Sequence, residues 1–212
     1  MNQKLNAVLE LARRYDYDAG HSHQVECLAG TLFMELEALH GLDKEDRKLL
    51  EYAAILHDIG YYASARGHHR HALQMIMMEP LLEFPREEKQ IIANLARYHR
   101  KALPKIEHTA YAILSDEDKN RVNRLAPILR LADALDRSHQ GKALELFCDI
   151  RDDAVTLYVG SDGEMPDEIA AVERKADMFR QVYRRDAQLR VLRPRLPKAS
   201  IEAEYAFEGV GV

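Results

Sequence analysis

Ala53-Ala54-Ile55-Leu56-His57-Asp58-Ile59-Gly60 sets an imidazole and a carboxylate side by side at the end of an apolar helical run. Adjacent histidine and aspartate can share one divalent cation, but two ligands leave its coordination shell half filled, so the fold must bring others. Three stretches offer them: His21 in His21-Ser22-His23-Gln24-Val25, the cluster His68-His69-Arg70-His71, and Asp133 in Leu131-Ala132-Asp133-Ala134-Leu135-Asp136. A further imidazole, His99 in Arg97-Tyr98-His99-Arg100-Lys101, allows a second ion beside the first.

Composition bounds what such a site serves. The 212 residues are 47% hydrophobic, enough for one good core with a small appendage after it. Thirty basic and 35 acidic residues leave a formal net charge of -5, so no bulk positive field draws the molecule to nucleic acid or anionic lipid. An anionic ligand must be held by a local cluster. Cys27 and Cys148 stand far apart without a CxxC, a usage that fits a reducing compartment and thiols that pack rather than react. Met1 to Asp18 is charged and amphipathic, without the apolar centre of a signal peptide, and no run reaches bilayer-spanning length. The expectation is a soluble, cytoplasmic protein with no membrane and no specific nucleic-acid partner. The arginines between 184 and 198 read as a solvated linker.

Helical spacing dominates the first 140 residues. Leu5, Val8, Leu9 and Ala12 predict a helix over 3–14. Asp18 caps a second that carries His21, Val25, Leu28 and Leu32 and closes at Gly41. Asp43 begins a third, which runs to the His-Asp pair and ends at Gly60. Residues 61–67 read as a loop, followed by helices over 68–78, with core-filling methionines at Met75, Met77 and Met78, and over 86–100. A short helix near 107–115 precedes a long one, capped by Ser115 or Asp116 and running to about Ser138, in which Pro127 marks a kink or junction. After Gly141 the period becomes alternating: Leu144, Leu146 and Cys148, then Val155, Leu157 and Val159, predict a hairpin. A helix at 166–183 and a strand at 188–192 complete a small α+β unit, with a linker over 193–198 and an extended segment over 201–207. The expected fold class is mainly α: a helical metal-binding domain over 1–140 and an α+β appendage and tail over 141–212. A hairpin and helix bury little by themselves, so the appendage is a place for homodimer formation.

The order His21, His57-Asp58, Asp133 resembles the HD superfamily of metal-dependent phosphohydrolases. His68-His69-Arg70-His71-Ala72, the stretch Ala96 to Pro104 and the stretch Ile128 to Ser138 are similar, together, to the C-terminal HD-type domain of the exopolyphosphatase/guanosine pentaphosphatase (Ppx/GppA) family. The resemblance covers roughly residues 5–192. It implies a helical bundle whose metal ligands are His21, His57, Asp58 and Asp133, joined in a binuclear site by His68 and His99. In that family the exopolyphosphatase reaction resides in two preceding actin-like domains with Gly-rich phosphate loops. This sequence holds neither, so those catalytic residues do not carry over.

The expected cofactor is one or two divalent ions, with Mn, Mg, Fe, Co and Zn all compatible with this nitrogen and oxygen donor set. Asp58 is expected to take part in catalysis directly, with His71 as a proton shuttle. Arg100, Lys101, Arg130 and Arg137 are expected to hold substrate phosphate, since guanidinium groups meet phosphate oxygens bidentately. Asp136, three residues after Asp133, is placed to orient a ligand imidazole. His23 faces another direction, His69 is a surface or phosphate-facing group, and His40, His108 and His139 read as solvent or capping residues. The expected partner is a phosphorylated small molecule, a nucleotide or polyphosphate. Either the chain hydrolyses it or, as a regulatory module, binds polyphosphate or a guanosine alarmone without cleaving it.

Overall fold

Local capping sets the first helices. After α1 (Gln3–Arg14), the Asp18 carboxylate accepts from the His21 amide at 3.1 Å and starts α2 (Ala19–Glu35). Asp43 and Asp46 form a reciprocal capping box that starts α4 (Lys44–Leu56). Between them the expected single helix divides at Leu36: its backbone leaves helical geometry, and a short α3 (Glu37–His40) ends at Gly41 with φ +57°. His40 is buried at this joint, not solvated, with Nε2 on the Phe33 carbonyl and Nδ1 accepting from the Leu42 amide.

The computed structural model describes residues 3–80 and 83–193. The remainder of the expected linker, 194–198, and the expected extended segment at 201–207 lie outside them. Helices α5 (His68–Met78), α6 (Arg86–Tyr98) and α7 (Thr109–Ala112) follow α4, with a 3-10 turn, Ile59–Tyr62, occupying part of the expected loop. Ser115, rather than Asp116, caps the long α8 (Asp116–Leu135), which continues unbroken through Pro127 and ends before Ser138. Leu50, Ile55, Leu56, Ile91, Leu95, Val122, Leu125 and Leu129 meet in one core. Met75 and Met77 pack partly against it, whereas Met78 is 82% exposed and fills nothing.

The alternating segment forms the expected hairpin, β1 (Glu145–Ile150) antiparallel to β2 (Ala154–Gly160). Helix α9 (Pro166–Tyr183) then crosses over, and β3 (Asp186–Leu192) returns parallel to β2, which makes β2 the central strand. This unit lies against the bundle: α9 packs on α8 and β1 on α2. Hydrogen bonds from the Cys148 amide to Glu35 and from the Ser138 amide to the buried Glu168 tie the two together. Its buried face, Val155, Leu157, Val159, Val172 and Phe179, belongs to the same apolar cluster as the helices. Among the described residues no helix is long and apolar enough to cross a membrane.

Candidate metal centre

α4 stops at Leu56, one residue before the His-Asp pair, so His57 is its C-cap and Asp58 opens the turn that follows. Gly60 therefore does not end the helix. It lies where the turn meets α5: a Cβ there would stand 1.9 Å from the His68 carbonyl oxygen. This close approach delivers His68, in the first turn of α5, to the pair.

Four imidazoles are fixed in one protonation pattern. The Nδ1 atoms of His57, His68 and His99 lie 2.7, 3.1 and 2.6 Å from the carbonyl oxygens of Ala54, Ala65 and Ala96, each three residues back. A carbonyl only accepts, so each ring carries a hydrogen on Nδ1 and, when neutral, presents its Nε2 lone pair. His57 and His99 reach this geometry in the same way, as the C-cap residues of α4 and α6. His21 has Nδ1 at 2.8 Å from Asp136 Oδ2, while Asp136 Oδ1 accepts from the Gly141 amide.

The four Nε2 atoms converge on two carboxylates. His68 and His99 Nε2 stand 3.2 and 3.3 Å from Asp58 Oδ1, and His57 Nε2 stands 3.5 Å from Asp58 Oδ2. His21 Nε2 is 3.7 Å from Asp133 Oδ1. Two overlapping groups result, His21–His57–Asp133 and His57–Asp58–His99, each with ligand atoms within 4.8 Å of one another. Nε2 of His21 and His57 and Oδ1 of Asp58 are buried without a hydrogen-bond partner. Lone pairs turned toward a carboxylate repel it unless a cation lies between them, so this donor set fits a divalent ion.

Burial and neighbouring charges pull these groups in different directions. Burial pushes the pKa of His57 down to about 4 against the pull of Asp58, which leaves its ring neutral and able to ligate at pH 7. At His21 burial also opposes the charge, but the hydrogen bond to Asp136 and the carboxylates of Asp133 and Asp58 outweigh it and raise the pKa. Burial favours the neutral acid at Asp58, yet the surrounding imidazoles hold its carboxyl well below the usual range. Asp133 is held low as well, against burial, chiefly by Lys175.

The centre opens into a cavity of about 440 Å³. Of the residues expected to ligate metal or hold phosphate, Asp58, His68, His99, Arg100, Lys101, Arg130, Asp133 and Arg137 line it, while His57 lies behind with no exposure. His71 does not reach it. That side chain turns to a separate depression beside Tyr15, Ala63 and Met78, so a shuttle role at this centre has no geometric basis. His23 bonds Tyr17 and Glu26 at the surface, and His108 bonds the Tyr98 hydroxyl.

Five lining residues were not anticipated. Tyr61 stacks on the His68 ring at 4.0 Å, and His139, exposed as expected and bonded through Nδ1 to Asp18 at 2.9 Å, also stacks on His21 at 3.7 Å. Each braces a ligand ring from outside. Arg174, Lys175 and Asp177 enter from α9, and Lys175 forms an ion pair with Asp133 Oδ2.

Residues 4–169 match the protein family described as Ppx/GppA phosphatase, domain III. The chain belongs to that family. A curated relative, the guanosine-5'-triphosphate,3'-diphosphate pyrophosphatase of Pseudoalteromonas atlantica, is 23% identical over 148 residues. The aligned part is 69% of this chain and 29% of that protein, so the chain spans less than a third of the relative's length. The domain III match includes every histidine and aspartate of the centre but stops in the first turn of α9, short of Arg174, Lys175 and Asp177.

Proposed function

We propose that this Ppx/GppA domain III protein is a metal-dependent phosphohydrolase of the HD type, acting on a phosphoester, nucleotide or polyphosphate-like anion. One observation carries the reading: four imidazoles, each with Nδ1 bonded to an acceptor, turn Nε2 toward the two buried-edge carboxylates Asp58 and Asp133. His21, His57, Asp58 and Asp133 would hold one divalent ion, and Asp58, His68 and His99 a second. Asp58 would serve both groups, since its Oδ2 lies 3.5 Å from His57 Nε2 and its Oδ1 lies 3.2 and 3.3 Å from His68 and His99 Nε2. When bound, such ions supply Lewis acidity to a phosphoryl oxygen and acidify an adjacent water.

The protein's own groups do the remaining work. Arg100, Lys101 and Arg137 stand at the cavity wall, where their charges neutralise phosphoryl oxygens and orient them toward Asp58. Tyr61 and His139 hold the rings of His68 and His21 in place. The absence of a bilayer-spanning helix among the described residues and the two separate thiols fit action in the cytoplasm.

The test is a turnover assay on guanosine polyphosphates, other nucleotides, inorganic polyphosphate and generic phosphoesters with Mn2+, Mg2+, Co2+, Fe2+ or Zn2+. Guanosine polyphosphates come first because of the relative's name. Metal-dependent turnover that Asp58→Ala removes is the expected result. No turnover by the wild type, or full turnover by the variant, would sink the proposal.

The cavity's charge balance favours one second reading, a regulatory module that binds polyphosphate or a guanosine alarmone without cleaving it. Six cationic side chains there face three carboxylates. Polyphosphate affinity that survives both chelation and His57→Ala, with no turnover under any metal, would select this reading over the first.

A further inference from the structure

Arg130 is the bulkiest fully buried side chain among the described residues, 1% exposed, and it lies against the metal cavity. A guanidinium carries five N–H donors and is costly to take out of water unless they are used. Here Nε and Nη1 make no hydrogen bond. The ion-pair partner is Asp177 of α9, whose Oδ1 stands 3.0 Å from Nη1 without hydrogen-bond alignment and whose side chain is about half exposed. Burial outweighs the carboxylates of Asp177 and Asp133 and lowers the pKa of Arg130, which marks its charge as under-compensated.

The surroundings are built for a further anion. Arg130 and Asp133 lie one turn apart on α8, and across the seam Lys175 takes Asp133 while Asp177 approaches Arg130. Arg174 lines the same cavity from α9. This pair leaves Nε and Nη1 without a hydrogen bond although both are sealed from water, at the wall of a cavity of about 440 Å³, and its acid is about half in water, where an incoming anion can displace it and reach them.

We infer that the α8–α9 seam is an oxyanion subsite, built on Arg130 with Lys175 and Arg174, which takes a phosphate-type group distinct from the one at Asp58. The subsite itself needs no metal. Three cations suit a multiply charged tetrahedral oxyanion better than a single carboxylate, and a guanidinium matches its oxygens in pairs.

The experiment is a calorimetric titration of the full chain in EDTA with inorganic phosphate and, separately, with acetate. The wild type and His57→Ala are expected to bind phosphate saturably and acetate at least about tenfold more weakly. Arg130→Met is expected to weaken phosphate binding about tenfold or more, and Lys175→Met to weaken it less. Asp177→Asn, which removes the competing carboxylate from an exposed position, is expected to tighten it about threefold or more. Absence of saturable phosphate binding by the wild type overturns the inference, as does binding that Arg130→Met leaves unchanged. Should Arg130→Met fail to fold by circular dichroism, Asp177→Asn decides: unchanged or weaker binding overturns the subsite. A parallel Mn2+ titration separates the two proposals. Equal Mn2+ binding by the wild type and His57→Ala removes the hydrolase reading, while the phosphate pattern still upholds the subsite as a ligand site.

Discussion

His68 and His99 bring their Nε2 atoms to 3.4 Å of each other while both Nδ1 atoms face carbonyl acceptors. In the neutral rings two lone pairs thus oppose one another across Asp58 Oδ1, an arrangement that favours the folded protein only with a cation between them. Mn2+ is therefore expected to stabilise the fold. At a hundredfold excess over its dissociation constant, linkage gives about 2.7 kcal/mol. For a chain of this size that is a rise in Tm of roughly 5–10 °C, at about 2–4 °C per kcal/mol. Thermal unfolding with Mn2+ and with EDTA measures it. His99→Ala should lose most of the rise, while His71→Ala, whose side chain faces another depression, should keep it.

Gly60→Ala is expected to destabilise the chain by at least about 2 kcal/mol, because overpacking against backbone cannot be relieved by a rotamer change. The added Cβ would meet the His68 carbonyl oxygen at 1.9 Å and the Ala72 amide nitrogen at 2.6 Å. Relief requires α5 to move away and to take His68 with it. Urea unfolding should show a lowered midpoint, and Mn2+ affinity should fall as well. A variant with unchanged midpoint and affinity would mean that α5 does not rest on the His-Asp turn.

His57-Asp58, His21 and Asp133 were legible because each sits where an apolar helical face meets its end, and such borders are set by local periodicity. The hairpin was legible for the same reason, through its period of two. Gly60 was read as a helix stop because helices do often end at glycine, whereas its demand for close approach to α5 depends on tertiary packing. His71 follows His68 by three residues and so shares its side of the helix, but the turn of rise between them carries it out of the centre to the depression beside Tyr15, a difference that only tertiary packing decides. Lys175, Arg174 and Asp177 were invisible for a topological reason. A parallel β2–β3 pairing requires a crossover, and it is the crossover helix that lays these charges over α8. Nothing local in Glu173 to Asp177 announces that.

The docking of β1 on α2 predicts unequal thiols. Burial, helped by Glu35, pushes the Cys148 thiol up to about 12, whereas Cys27 is exposed. At pH 8 an ordinary thiol with a pKa near 8.5 is roughly a quarter ionised, and one near 12 only about one part in ten thousand. Ellman's reagent should therefore titrate one thiol quickly in the native protein and both in denaturant. Two equally fast thiols would show that β1 does not shelter Cys148 against α2.

Asp136 offers the sharpest test of the centre's construction, because it does not line the metal-centre cavity and its one side-chain contact with a proposed ligand is to His21. Its Oδ2 meets His21 Nδ1 at 2.8 Å and its Oδ1 accepts from the Gly141 amide, so one buried carboxylate fixes both the ring and the turn after α8. Asp136→Ala frees the ring to rotate and allows the hydrogen to move to Nε2, which would take the lone pair away from Asp133 and His57. Loss of such an orienting partner typically weakens metal binding by about 10–100-fold. Asp136→Asn keeps an oxygen for one of the two contacts, so its loss should be smaller than that of the alanine variant. Mn2+ titration of the three proteins, with circular dichroism as the fold control, measures the order. If Asp136→Ala binds Mn2+ as tightly as the wild type while remaining folded, His21 is not a ligand held through Asp136, and the centre would have to be rebuilt around His57, Asp58, His68 and His99 alone.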